Sequence, residues 1–84
     1  MEMNQDELDI IIGKNVKKYR KLYNKMYGKM TQEDLAEIIN VSVSLISNLE
    51  SRSVIKGISI NNLYKISIVL RVPISKFFED DNDE

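Results

Sequence analysis

Cysteine and histidine are both absent from these 84 residues. Without cysteine there is no disulfide and no thiolate for a metal. Without histidine the commonest general base and the other usual zinc ligand are missing too. Catalysis or metal binding has little to build on, so neither an enzyme nor a cofactor is expected. Apolar runs stop at three residues, far short of a signal-peptide core or a membrane span. The expectation is a cytoplasmic chain with no membrane contact. Its length suits one domain, near the lower limit for a core without staples.

The net charge is only -1, but the charges are segregated. Residues 1–13 carry four acids (Glu2, Asp6, Glu7, Asp9) and no base. Residues 14–29 carry seven bases (Lys14, Lys17, Lys18, Arg20, Lys21, Lys25, Lys29) and no acid. Four acids and no base follow in 30–50, five bases and no acid in 51–78, and five acids in 79–84. Such blocks build a basic face on a neutral protein, or they are ordinary solvated helix faces. Charge alone leaves both readings open.

Apolar spacing predicts helices throughout. A first helix starts near Asp6 or Glu7, and Leu8, Ile12, Val16, Tyr19, Tyr23 and Met26 form its inner stripe. Tyr19, Tyr23 and Tyr27 share a four-residue spacing, which reads as a core or core-edge stripe rather than a base-stacking one. Gly28 suits the stop. Thr31 and Asp34 have capping-box spacing for a second helix with Leu35, Ala36, Ile38 and Ile39 inward. Asn40 ends it, and Ser42 caps a third with Ile46 and Leu49 inward. Residues 51–58 read as a loop around Gly57. Ser59 caps a fourth helix that buries Leu63, Ile66, Ser67 and Leu70. Pro73 opens a short fifth helix at its first position, with Ile74, Phe77 and Phe78 on the apolar side. The acidic run 79–84 is a tail without apolar residues, expected to be disordered. The domain is thus 1–78 and the tail 79–84. A short connection between two short helices is what a helix-turn-helix requires.

Residues 31–50 resemble the helix-turn-helix of the Cro/phage-repressor (XRE) family through Thr31-Gln32, Leu35-Ala36, Val41-Ser42, Ile46-Ser47 and Glu50. Ile12-Gly13, Val16 and Arg20 resemble its first helix. Ser59, Leu63, Lys65-Ile66, Leu70, Val72 and Phe77-Phe78 resemble its fourth and fifth. The resemblance spans roughly residues 10 to 78. Three features depart from the pattern. Asn40 replaces the common turn glycine, several extra residues separate Arg20 from Gln32, and Ser51-Arg52-Ser53 replaces a glycine after Glu50.

The resemblance implies an all-α, compact five-helix lambda-repressor-like domain whose third helix enters the major groove. Carried over by position, Val43, Ser44, Ser47 and Asn48 face the bases. Helical spacing agrees, since these positions lie opposite Ile46 and Leu49. Ser42 at the groove edge, Gln32 at the start of helix two, and Arg52 and Lys56 in the following loop are the implied backbone contacts. In relatives the glutamine also braces a polar side chain at the position of Val43; valine cannot accept that bond. Arg20 and Glu50 match a structural ion pair.

The expected function is sequence-specific binding of double-stranded DNA as a small transcriptional regulator, a repressor or an autoregulatory controller. Helix four and its successor carry more apolar residues than a small core can bury. A homodimer through Ile68, Val72, Ile74 and Phe78 is therefore expected, on a near-palindromic operator. These residues leave no room for a ligand-sensing domain, so no small-molecule ligand is expected. The alternative is a protein-interaction module of the same fold, an antirepressor or antitoxin-like partner.

Overall fold

The computed structural model describes residues 5–51 and 58–80. Among them are four α-helices, one 3-10 helix and no strand. The α-helices are α1 (Gln5–Met26), α2 (Gln32–Ile39), α3 (Val43–Glu50) and α4 (Ile60–Leu70). None of the helices in this region is long and apolar enough to cross a membrane.

The helix ends follow local chemistry. Thr31 caps α2 with a reciprocal box: Asp34 N donates to Thr31 Oγ1 at 3.0 Å and Thr31 N donates to Asp34 Oδ2 at 3.0 Å. Ser42 and Ser59 cap α3 and α4, their hydroxyl oxygens accepting from Leu45 N and Asn62 N. Asn40 turns the chain after α2 in the left-handed region, at φ 63°, which its short polar side chain tolerates. Arg71 does the same after α4 at φ 62°. Its guanidinium lies 4.6 Å from the centre of the Tyr27 ring, joining the ends of α4 and α1.

One core serves all the elements. Ile12 and Val16 of α1, Leu35, Ala36 and Ile39 of α2, and Ile46 and Leu49 of α3 meet in it. Leu63, Ile66 and Leu70 of α4, Met30 and Phe77 complete it. Tyr19 packs edge-on against Phe77, with ring centres 6.0 Å apart. Gly13 marks the closest approach of α1 to α3. A Cβ at that position would overlap the backbone carbonyl oxygen of Leu49.

Four sequence expectations need correction. The fifth helix is a 3-10 helix, Ile74–Phe78, and Pro73 precedes it at ψ 141° rather than opening it. Five residues are too few for an α-helix to repay its nucleation, and the tighter turn suffices to bury Phe77. Of that helix's apolar side chains Phe77 is buried and Phe78 is exposed. Ile38 is 56% exposed although α2's other apolar residues are buried. Met26 is 61% exposed because it lies at the far end of α1, beyond the core cluster.

Candidate nucleic-acid interface

α2 and α3 are joined by Asn40, Val41 and Ser42, the connection of a helix-turn-helix. Ile46 and Leu49 are buried, which turns the other side of α3 outward. Val43, Ser44 and Asn48 are exposed and Ser47 is half-buried, so the four expected base-facing side chains share one accessible surface. The Asn48 side-chain amide has no partner among the described residues, while its backbone carbonyl accepts from Ser51 Oγ at 3.1 Å. Ser42 is exposed at the amino end of α3, and its hydroxyl proton remains available after the oxygen has accepted from Leu45 N.

Glu50 is the only acid on α3 and it is removed from that surface. It is 3% exposed. Arg20 Nε donates to Glu50 Oε2 at 2.7 Å and Arg20 Nη2 donates to Oε1 at 2.9 Å, a bidentate grip that neutralises the carboxylate. Gln32 Nε2 donates to the same Oε1 at 2.9 Å. Because a carboxylate only accepts, the amide nitrogen must be the atom facing it. Gln32 is therefore braced on Glu50 rather than on Val43, and the second hydrogen of Nε2 stays available at the start of α2. Arg20 Nη1 also donates to Met30 O at 3.0 Å. One guanidinium thus fixes α1, the approach to α2 and the end of α3.

Arg52 and Lys56, the expected backbone contacts in the loop, lie outside the described residues. The four expected dimer residues lie at the end of α4 and just beyond it. Ile68 is 59% exposed and Phe78 41%, while Val72 and Ile74 are half-buried against the core.

Sequence reading missed Asn15. It is buried, and Nδ2 donates to Phe77 O and to Glu79 O, both at 2.8 Å, tying the end of the 3-10 helix to α1. The available signal was a polar residue in register with Leu8, Ile12 and Tyr19 on the inner stripe. Beyond it, Lys14 Nζ lies 3.9 Å from Asp80 Oδ1.

No curated protein matches the chain. A family model described as helix-turn-helix matches residues 28–77, more than half of the chain and all of α2, α3 and α4. The chain belongs to that family, the helix-turn-helix DNA-binding regulators of the Cro/phage-repressor type.

Proposed function

We propose that this protein is a small transcriptional regulator that binds a near-palindromic duplex operator as a homodimer, acting as a repressor or an autoregulatory controller. The observation that carries this reading is the charge state of the α3 surface. Its one acid is buried and paired, leaving short neutral polar side chains and one valine outward. Such a surface approaches base edges without like-charge repulsion from the phosphates.

In this reading Val43, Ser44, Ser47 and Asn48 face the bases, while Gln32 and Ser42, with Arg52 and Lys56, hold the backbone. Exposed Ile68 and Phe78, beside Val72 and Ile74, support pairing of two copies through this end of the molecule. A protein-interaction module of the same fold would be favoured by an apolar or acidic α3 surface, and this one is neither.

The test is an electrophoretic shift titration with duplex from upstream of the protein's own gene, across a range of salt. Saturable binding that exceeds binding to random duplex supports the proposal. Equal binding to both duplexes at every salt concentration contradicts it.

A further inference from the structure

α1 runs six residues past Arg20 before it ends at Met26, and the whole helix lies outside the family-matched span. Lys17, Lys21 and Lys25 recur at every fourth position of its second half, and Lys29 follows four residues later. All four are exposed. On the helix, successive lysines of this row stand roughly 6 Å apart along the axis.

The row is electrostatically unbalanced. No acid occurs between Asp9 and Glu33, so no carboxylate sits three or four residues from Lys17, Lys21 or Lys25; Lys29 has Glu33 at that spacing and does not pair with it. Like charges at that spacing repel. None of the four lysines forms an ion pair among the described residues. A solvated helix face ordinarily interleaves signs, and this one does not. The repulsion is compensated if a polyanion lies along the row.

The row is also held in a particular place. Lys21 adjoins Arg20 in sequence and Lys17 precedes it by three, so the row borders the line of Arg20 and Asn24. Those two side chains pin the returning chain. Arg20 Nη1 donates to Met30 O, and Met30 N donates to Asn24 Oδ1 at 2.6 Å. Lys29 is thereby kept two residues before Thr31, the cap of α2. Its positive charge also helps to lower the pKa of Asp34 in the first turn of α2.

We propose that Lys17, Lys21, Lys25 and Lys29 form a phosphate clamp beside the helix-turn-helix, gripping the DNA backbone outside the base-reading groove. This rests on the DNA-reading function proposed above. A repeating line of flexible ammonium groups suits evenly spaced, solvated phosphates, and Tyr27, the aromatic between Lys25 and Lys29, is already stacked with Tyr23 and Arg71. A protein partner would call for buried aromatic or arginine anchors instead.

The experiment compares the full chain with its Lys21→Gln/Lys25→Gln/Lys29→Gln variant, glutamine being a comparable helix former. Both are titrated across salt on the upstream duplex and on random duplex of equal length, then footprinted with hydroxyl radicals. The variant should melt no lower than wild type, since repulsion is relieved. Its slope of log K against log salt should be shallower by about two to three units per bound protomer, roughly five for the dimer. Affinity should fall equally on both duplexes, and protection should shrink at the outer edges of the site. An unchanged slope and footprint would overturn the clamp and leave an acidic protein surface as the row's partner. A changed base preference, or a lowered melting temperature, would overturn it as well. Failure of the wild-type chain to bind either duplex at low salt would instead overturn the DNA-reading function itself.

Discussion

Arg20 reaches thirty residues along the chain to take both carboxylate oxygens of Glu50. The side chains are 12% and 1% exposed respectively. A pair this enclosed contributes little net stability compared with an apolar replacement, but losing one member leaves a buried charge uncompensated.

Arg20→Ala should therefore destabilise the fold by about 3 kcal/mol or more. For a domain of this size that lowers the melting temperature by on the order of 10–20 °C. The double variant Arg20→Met/Glu50→Leu should recover most of the loss. Thermal unfolding followed by circular dichroism decides it: equal melting of wild type and Arg20→Ala would mean that the pair is not structural.

Gly13→Ala provides a second test of how α1 meets α3. Alanine is the better helix former by about 1 kcal/mol, yet its Cβ would overlap the Leu49 carbonyl oxygen. Backbone cannot rotate away as a side chain can, so the substitution should cost about 1–3 kcal/mol net. Urea unfolding should show a lower midpoint at an unchanged slope. A raised midpoint would place the two helices farther apart than described.

How much of this was legible beforehand depended on range. Thr31, Asn40, Ser42 and Ser59 could be assigned because caps act within three residues. Leu63, Ile66 and Leu70 followed from their period. The exposure of Ile38 and Met26 could not be read, because a stripe indicates a face and not where neighbouring elements end. Arg71 in the left-handed region ran against propensity; its stack on Tyr27 depends on the placement of two distant helix ends. The Asn15 clamp joins positions more than sixty apart. In the candidate site, the Arg20–Glu50 pair was suggested by family likeness alone, and the bond from Gln32 to Glu50 was not foreseen.

The capping box should leave a mark on acid stability. Bonds from Thr31, first from its backbone N–H and then from its side chain, lower the Asp34 carboxyl below the ordinary aspartate value of 3.8. A folded-state value below the unfolded one contributes stability that is complete above about pH 4 and disappears as pH falls through the folded value. Asp34→Asn should remove this part of the acid dependence and flatten the melting curve against pH in that range. If wild type and variant lose stability in parallel below pH 4, the ionised box is not contributing.

Self-association should follow the exposed end of α4. At tens of micromolar the chain should sediment as a dimer, and Ile68→Asp/Phe78→Asp should sediment as a folded monomer. Paired copies of this motif read half-sites about 34 Å apart, so the monomeric variant should bind the operator without cooperativity. A wild-type monomer both free and on DNA would exclude the dimer.

If the outer side of α3 reads bases, Asn48 is the residue on which that reading depends most. Its amide is the one planar group on that surface that both donates and accepts, the pattern that matches the N6 and N7 edge of adenine. The measurement is a shift titration of Asn48→Ala against operators substituted one base pair at a time. Base reading by Asn48 predicts a loss of about 1–3 kcal/mol on the cognate operator, little change on random duplex, and relaxed preference at a single A·T position. A uniform loss that leaves discrimination intact at every position would contradict it.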